Sequence, residues 1–186
     1  MRKVLGLLTI VAVLCISSQA MAAPVQWTTG VGANGHWYDL IQTAATAANA
    51  NTNANSLSYL GLSGHLVTLN TAEENAWVWN TYKVSAGRYA WLGGTDKDVE
   101  GSWSWLNGDA WSYTNWDLTT SEPNDWQQKE DYLVFSASLN GTWNDTDGTR
   151  VLKYIVEYDT VPEPASMILF GSGLFGLLGF RRKFSV

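Results

Sequence analysis

The stretch "EPNDWQQKED", residues 122–131, contains four carboxylates, one asparagine amide and one tryptophan. Two further stretches rich in oxygen ligands lie near it in the chain, "DKDVEG" at 96–101 and "WND" at 143–145. Because so many carboxylates repel one another at short range, they are stable together only when a cation lies between them. This half of the chain is therefore predicted to form a cation site from separate loops.

The ligand types in the chain favour calcium over a softer metal. Cys15 is the only cysteine, and His36 and His65 are the only histidines, whereas zinc and copper sites use thiolates and imidazoles. Calcium takes about 6–8 oxygen ligands from carboxylates, amides and backbone carbonyls. The stretch 96–101 imitates the start of an EF-hand loop, but Asn107 stands where that loop needs glutamate. We therefore reject an EF-hand and interpret both histidines as packed or hydrogen-bonded structural residues.

The N-terminal residues 1–22 have the pattern of a secretory signal peptide. Arg2 and Lys3 precede a short apolar run, and small residues at Ala20 and Ala22 mark a cleavage site. We expect cleavage between Ala22 and Ala23. A buried N-terminal helix is the disfavoured alternative, because the apolar run is short and the cleavage site is well placed.

The C-terminal residues 161–186 combine three features in a fixed order. Pro162-Glu163-Pro164 comes first, followed by the uncharged apolar stretch 165–180 and then by Arg181-Arg182-Lys183. The apolar stretch is slightly shorter than the about 17–25 residues of a membrane helix, and the cations after it favour a cytoplasmic end. This arrangement resembles the PEP-CTERM sorting signal of Gram-negative bacteria. The resemblance implies a transmembrane helix at 165–180, a transient inner-membrane tether, removal by an exosortase, and delivery to the cell surface or to the exopolysaccharide matrix of a biofilm.

Residues 23–160 have the length of one domain. All seventeen acidic residues lie between the signal peptide and Pro164, together with only six of the eleven basic ones, which leaves this part a net charge of −11. Such a charge repels nucleic acid and attracts cations, so nucleic acid is excluded as a partner. Since Cys15 lies in the predicted signal peptide, the mature domain has no disulfide and no zinc–thiolate site.

The pattern of predicted elements indicates an α+β fold. Strands are predicted at 36–42 and 65–69, and helices at 43–55 and 71–82. From residue 88 onward, short β-like runs alternate with turns rich in Gly, Asn, Asp and Pro. Five tryptophans of these runs are predicted to lie in the core: Trp91, Trp103, Trp105, Trp111 and Trp143.

The helix predicted at 71–82 has the clearest start signal. Thr71 and Glu74 have the spacing of a capping box, in which each side chain bonds the other residue's backbone N–H. Three residues are predicted to form its apolar side: Ala76, Trp77 and Trp79.

Taken together, "WLGGTDKDVEGSWSWLNGD", "YTNW", "EPNDWQQKEDYLVF", "GTWND" and "YIVEYD" resemble a C-type lectin-like domain. The resemblance extends from about Trp37 to Tyr158 and is most specific from Trp91 to Asp145. It implies an α+β fold with two helices, short antiparallel sheets and a long calcium-binding loop region. Members of this family usually contain two disulfides, and the absence of both here leaves the rigidity of the loops open.

The resemblance also implies a principal site for Ca²⁺ and carbohydrate. Its residues are Glu122, Asn124, Glu130, Asn144 and Asp145. In the family, such a site leaves two coordination positions open for neighbouring sugar hydroxyls, and the amides and carboxylates also form hydrogen bonds with those hydroxyls. The peptide bond before Pro123 is cis in such families. The order Glu-Pro-Asn resembles the mannose-type subset, which implies mannose, glucose or N-acetylglucosamine as ligand.

The family's auxiliary calcium site corresponds to four further acids. They are Asp96, Glu100, Asp125 and Asp131, and their implied role is to fix the loops at 96–131. Trp126 follows the Glu-Pro-Asn triplet and is interpreted either as a stacking platform for a sugar or as a loop-packing residue.

We therefore predict an exported calcium-dependent carbohydrate-binding protein. A structural or adhesive matrix protein, whose calcium sites only stabilise loops, remains the alternative. A glycosidase is disfavoured because it needs one carboxylic acid in an apolar setting, whereas these acids are crowded with amides and other acids. No enzymatic activity is expected. A purely solvated acidic surface is disfavoured because the amides are placed as in a diol-binding site.

Overall fold

The computed structural model describes residues 23–86, 89–136 and 140–160, with the side chains of 84–86 left out. The predicted signal peptide at 1–22 and the predicted transmembrane helix at 165–180 lie outside these ranges. No helix within them is long and apolar enough to cross a bilayer.

Within the described ranges, nine strands form one sheet, and two helices pack against it. The strands are β1 (Val25–Gln26), β2 (Trp37–Ala45), β3 (Ser58–Tyr59), β4 (Leu62–Leu66), β5 (Ala90–Thr95), β6 (Ser104–Trp105), β7 (Tyr132–Phe135), β8 (Trp143–Thr146) and β9 (Leu152–Tyr158). The helices are α1 (Ala47–Ser56) and α2 (Ala72–Ala86). This arrangement confirms the predicted α+β class with two helices.

Strand β9 is the centre of the sheet. It pairs with β2 along one edge, and along the other with β4 near its C-terminal end and with β5 near its N-terminal end. The β5–β9 pairing is parallel, whereas the other pairings between named strands are antiparallel. The expected short antiparallel sheets are thus one continuous mixed sheet. Residues 154–158 are all buried, as an apolar central strand requires.

Helix α1 packs closely because its inner face is made of small residues. Ala47, Ala50 and Ala54 are buried, and Thr46 caps the helix by accepting the Asn49 backbone N–H at 3.4 Å. On the partner strand β4, a Cβ at Gly64 would lie 2.8 Å from the Ala54 carbonyl oxygen. The alanine-rich stretch predicted to be helical does form α1, but its first residues, 43–45, belong to β2.

Helix α2 begins with one half of the predicted capping box. The Glu74 backbone N–H donates to Thr71 Oγ1 at 3.1 Å, as predicted. The Glu74 carboxylate instead accepts the backbone N–H of Asn70, one residue before the expected partner, at 2.8 Å. The predicted apolar side is partly wrong: Ala76 is exposed, whereas Val78 is fully buried. The reason is that Val78, together with Trp79, faces the sheet.

The tryptophans form a connected core between α2 and the long loop that follows β6. Trp143 is completely buried, and its indole N–H donates to Asn75 Oδ1 at 2.7 Å. Four aromatic rings surround it at centroid distances of 5.5–5.9 Å: Trp105, Trp111, Tyr113 and Trp116. Trp91 and Trp105 are also buried, whereas Trp103 and Trp111 are partly buried against the core.

The strand predicted at 65–69 is displaced toward the N-terminus. Strand β4 ends at Leu66, yet residues 67–69 remain buried. Val67 continues the backbone ladder, since it donates to the Ile155 carbonyl at 2.9 Å and accepts from the Gly93 N–H at 2.8 Å. Beside β5 the backbones therefore approach very closely, and a Cβ at Gly93 would lie 2.7 Å from the Leu66 carbonyl oxygen.

This close approach predicts that Gly93→Ala destabilises the domain by about 2–3 kcal/mol, because backbone atoms have to move to admit the methyl group. The measurement is chemical denaturation, with unfolding monitored by tryptophan fluorescence. Gly61→Ala is the matched control, because no atom lies within 4 Å of a Cβ built there. Its positive φ of 83° leaves a cost of about 1 kcal/mol. A Gly93→Ala variant no less stable than Gly61→Ala would contradict the packing described for β5.

Candidate functional site

The predicted site lies on the long loop between β6 and β7, residues 106–131. Apart from one short 3₁₀ turn, the loop has no regular secondary structure. It contains four non-glycine residues with left-handed φ: Ser121 (65°), Asp125 (42°), Gln127 (61°) and Gln128 (57°). Each costs on the order of 1–2 kcal/mol, so contacts with the rest of the domain have to hold the loop in this conformation.

Asp145 supplies the main contact that holds the loop. It lies on β8, after the buried Trp143 and the half-buried Asn144, and is 1% exposed. Its carboxylate accepts the backbone N–H of Asn124 at 3.1 Å and that of Asp125 at 2.7 Å. Two backbone donors stabilise the charge on a carboxylate that is otherwise shielded from water. The loop is therefore fixed to the end of β8 at the Glu-Pro-Asn triplet.

The side chains of Glu122 and Asn124 meet above this contact. The amide nitrogen of Asn124 donates to Glu122 Oε2, and the peptide bond between Glu122 and Pro123 is cis, as the family resemblance implies. Glu122 is 7% exposed. Burial raises the pKa of Glu122 to about 7, and its contact with the carboxyl of Asp145 contributes in the same direction. A neighbouring cation would favour the charged carboxylate and so lower this pKa.

Glu130 closes the turn after the triplet and joins the same charged group. Its Oε2 accepts the backbone N–H of Trp126 at 3.1 Å, and its own N–H donates to Asp125 Oδ1 at 3.2 Å. Burial raises the pKa of Glu130, and the negative charge of Asp145 adds to that shift. Glu130 is thus electrostatically coupled to the buried carboxylate that fixes the loop.

The two amides of the principal site have their nitrogens where ligand oxygens are expected. Asn144 donates its Nδ2 to the carbonyl oxygen of Asp145. Asn124 likewise directs its nitrogen at Glu122. To present oxygen to a cation, each amide has to turn over about its Cβ–Cγ bond, which exchanges its oxygen and nitrogen. Hydrogen bonds thus connect Glu122 with Asn124, and Asn124 with Asp145. Asn144 bonds the Asp145 carbonyl, and Glu130 interacts with this group through its charge. Both amides are in the other orientation.

Three of the four predicted auxiliary residues also lie together. Carboxylate oxygens of Asp96, Glu100 and Asp131 are within 4.8 Å of one another. Asp125 is not part of this group, and its Oδ1 instead accepts the Glu130 N–H. Asp96 is 3% exposed, and its Oδ2 accepts the Gly101 N–H at 2.9 Å.

The second oxygen of Asp96 has no hydrogen-bond partner among the described residues, although it is buried. Burial raises the pKa of the Asp96 carboxyl, and the nearby negative charges of Asp131 and Asp145 act in the same direction. An unpartnered buried carboxylate oxygen costs a desolvation penalty that a cation would offset. Since every side chain in this group offers only oxygen, the residues fit a hard cation such as Ca²⁺.

Trp126 lies on the solvent side of the loop. It is 64% exposed. One residue, Asp125, separates it from the triplet, and it begins the 3₁₀ turn Trp126–Gln128. An indole with this exposure does not serve as a core residue. Its flat apolar face is available to a ligand held beside Asn124.

The sequence analysis missed one group of polar residues. His36 and His65 are hydrogen-bonded as expected, but both contact carboxylates near the end of β9, namely Glu157 and Asp159. The spacing "EYD" at 157–159 alternates along a strand and was the available signal. Without the pairing of β2 and β4 on β9, nothing in the sequence connects these acids with the two distant histidines.

Comparison with family models identifies two segments of the chain. Residues 53–157 match the lectin C-type domain, and residues 160–183 match the PEP-CTERM protein-sorting motif. Both matches confirm the resemblances seen in the sequence. C-type lectin domains generally bind carbohydrate and are non-catalytic, and the sorting motif is one of exported proteins of Gram-negative bacteria. The combination indicates an exported carbohydrate-binding protein.

Solved structures support the same family. The C-type lectin CEL-I from Cucumaria echinata is 30% identical, with a TM-score of 0.62 over 72% of this chain and 95% of that chain. A variant described as the EPNH mutant of CEL-I is 31% identical, with a TM-score of 0.62 over 72% of this chain and 94% of that chain. A calcium-independent type II antifreeze protein is 23% identical, with a TM-score of 0.60 over 77% and 99% of the two chains.

The antifreeze protein shares the fold without a need for calcium, so the fold by itself does not establish calcium dependence. A search of curated protein sequences gave no match. The family match covers more than half of the chain, and CEL-I aligns over nearly its whole length at 30% identity. The chain belongs to the C-type lectin domain family.

Proposed function

We propose that this protein binds carbohydrate of the mannose or glucose type in a calcium-dependent manner. The observation that carries the proposal is the hydrogen-bonded side-chain pair Glu122–Asn124. The buried Asp145 carboxylate holds this pair in place by accepting the backbone N–H of Asn124. Asn124 of this pair is exposed, and the exposed Trp126 lies two residues later in the same loop. This arrangement places acceptors, donors and an apolar face next to one another, as recognition of a sugar ring requires.

The residues of the principal site have separate roles in this proposal. Calcium bound there supplies positive charge to which neighbouring hydroxyls of a sugar ring are attracted. Glu122 and Glu130 supply negative charge that binds the calcium ion, and they accept hydrogen bonds from the sugar hydroxyls. Asn124 and Asn144 donate to the hydroxyls through their amide nitrogens once the amides have turned over. Asp145 holds the loop in place through the Asn124 and Asp125 N–H groups.

The proposed sugar class depends on the order acid–proline–amide at residues 122–124. The Glu122 carboxylate accepts a hydrogen bond from the Asn124 amide, so exchanging the two residues reverses the positions of acceptor and donor. The order seen here resembles the mannose-type subset of the family, which takes sugars with equatorial 3- and 4-hydroxyls. We assign Asp96, Glu100, Asp125 and Asp131 a supporting role in which a second calcium holds the loops at 96–131.

The two ends of the chain place this activity outside the cell in our proposal. Residues 1–22 act as a signal peptide, residues 23–160 form the lectin domain, and residues 161–186 form the sorting segment with a membrane helix at 165–180. The exosortase is a transient partner and the inner membrane a transient location. The ligand is then a glycan of the cell surface or of the surrounding exopolysaccharide.

Calcium is predicted to raise the thermal stability of the protein, because a ligand that binds only the folded state stabilises it. At a free calcium concentration about 100 times Kd, the gain is about 2.7 kcal/mol, or roughly 5–10 °C in Tm for a domain of this size. The measurement is differential scanning fluorimetry of protein produced from the whole chain, in calcium and in EDTA.

Asp96→Asn is predicted to reduce this calcium-dependent rise in Tm, because the buried unpartnered oxygen of Asp96 is then no longer a charged ligand. Asp98→Asn is the matched control: the residue is an exposed acid in the same stretch and lies outside the auxiliary group. Equal calcium-dependent rises in the two variants would show that Asp96 holds no cation.

Trp126→Ala is predicted to weaken sugar binding by about fivefold in Kd, which corresponds to about 1 kcal/mol of ring contact. The calcium-dependent rise in Tm should not change, since the indole does not coordinate calcium. Leu118→Ala is the control, because Leu118 is an apolar residue of the same loop that is 80% exposed. If both variants bind methyl α-mannoside like the unmodified protein, in titration calorimetry, Trp126 is not a sugar platform.

The double variant Glu122→Gln, Asn124→Asp is predicted to shift selectivity from mannose toward galactose, because it exchanges the acid and the amide on either side of Pro123 in the sequence. The readout is the ratio of inhibition by free mannose and free galactose on immobilised glycan. An unchanged ratio, in a variant that still shows the calcium-dependent Tm rise, would refute the proposed orientation of the sugar. It would favour the alternative of a matrix protein whose calcium sites only stabilise loops.

A further inference from the structure

Both histidines of the chain lie beside acids at the C-terminal end of β9. His36 contacts Glu157 and Asp159, and His65 contacts Asp159. We propose that His36, His65, Glu157 and Asp159 form a binding site for a divalent transition metal such as Zn²⁺. This imidazole–carboxylate cluster contains none of the residues assigned to calcium. It has the two ligand types, imidazole nitrogen and carboxylate oxygen, that zinc accepts in the absence of thiolates.

The distances between neighbouring ligand atoms in the cluster are close to those around a small tetrahedral ion. His36 Nδ1 lies 2.8 Å from Glu157 Oε1 and 3.3 Å from Asp159 Oδ1, and His65 Nε2 lies 3.1 Å from the same Asp159 oxygen. A tetrahedral zinc with bonds of about 2.0–2.1 Å has ligand atoms about 3.3 Å apart. The ligand atoms of His65, Glu157 and Asp159 all lie within 4.8 Å of one another, whereas His36 belongs to a second such group with Glu74 and Glu157. Three ligands are therefore close enough to hold the ion, and the His36 ring has to move toward them to become the fourth.

The hydrogen bond on the other side of the His65 ring fixes which nitrogen faces the acids. His65 Nδ1 lies 2.8 Å from the carbonyl oxygen of Leu66, and because a carbonyl only accepts, Nδ1 carries the hydrogen. In the neutral ring, Nε2 then presents a lone pair to the Asp159 carboxylate, and two acceptors repel each other. Either a proton on Nε2 or a metal ion between the two atoms relieves this contact. Metal-binding histidines typically have this kind of second hydrogen bond to a carbonyl.

The Glu157 carboxylate is likewise held with one oxygen directed at the cluster. Glu157 is 1% exposed, and its Oε2 accepts from the Thr68 N–H at 2.9 Å and from the Thr68 hydroxyl at 3.0 Å. Its Oε1 is thereby left to His36. Glu74 also lies near His36, but both of its oxygens already accept hydrogen bonds, from Tyr38, Asn34 and the Asn70 N–H. We therefore exclude Glu74 from the ligand set.

The position of the cluster in the sheet gives the metal a structural role. His65 on β4 is the register partner of Glu157 on β9, and His36 directly precedes β2, whose first residue pairs with Tyr158. One ion would thus connect three neighbouring strands in a domain that has no cysteine after residue 15. Asp159 is followed immediately by the residues that match the sorting motif, 160–183. A bound metal would fix the last residues of the domain next to that motif.

The competing state is a cluster held together by protons. Burial opposes the charged form of the His65 ring. The hydrogen bonds to Asp159 and to the Leu66 carbonyl, together with the negative charges of Glu157 and Asp159, outweigh burial and raise the pKa of His65 to about 9. The protonated ring and the acids then form a buried ion-pair network without metal. The cluster holds positive charge in either state, and only direct metal binding distinguishes them.

The test is a titration of the protein, produced from the whole chain and saturated with Ca²⁺, with Co²⁺ as a spectroscopic probe for zinc. The expected result is one equivalent of bound Co²⁺ with the strong visible absorption of a tetrahedral nitrogen–oxygen site, displaced by Zn²⁺. His65→Ala is expected to weaken Co²⁺ binding by more than about 100-fold, the upper range for loss of even an outer-shell partner. Asp98→Asn is expected to bind Co²⁺ like the unmodified protein.

Asp159→Asn provides a second variant that keeps the side-chain shape, because Asp159 is half exposed and its loss need not affect folding. It is expected to lose at least about tenfold in Co²⁺ affinity while keeping the calcium-dependent rise in Tm. The proposal is overturned if the unmodified protein gives no tetrahedral spectrum, or if His65→Ala and Asp159→Asn both bind Co²⁺ as tightly as it does. Sugar binding plays no part in this readout, so the outcome is independent of the carbohydrate proposal.

Discussion

The site described above depends on one buried carboxylate, that of Asp145. It accepts two backbone N–H groups from the triplet loop, and it lies on a strand whose first residue, Trp143, is the centre of the tryptophan core. The loop itself contains four non-glycine residues in left-handed conformations, so it cannot hold its own shape. The packing of the core thus determines where Glu122 and Asn124 lie.

The same constraint explains why a domain without disulfides can present an ordered site. The core strand β9 pairs with three other strands, and the tryptophans fill the space between α2 and the long loop. The loop is joined to this core at Asp145. Acids of the loop and of the stretch 96–101 have raised pKa values, because they are buried close to other negative charges. A cation at these acids adds a connection between loops that the backbone alone does not make.

Much of the fold and most of the site could be predicted from the sequence, because both rest on local signals. The helix at Thr71 has a capping residue, and the triplet, the acid eight residues later and "WND" have a specific spacing. Two features depended on tertiary packing and were missed. The Glu74 carboxylate accepts the backbone N–H of Asn70 instead of that of Thr71, and Val78 takes the place of Ala76 in the core. The histidine cluster needed the strand order as well, since His36 and Glu157 are 121 positions apart.

Recognition of sugar through a cation at the loop 122–131 can be measured in a glycan-array binding assay on the protein, first in calcium and then in a chelator. We expect binding to mannose-type or glucose-type glycans that disappears when calcium is removed. A folded, calcium-loaded protein that binds none of these glycans would contradict it, and the acids of the loop would then serve only to hold the structure together.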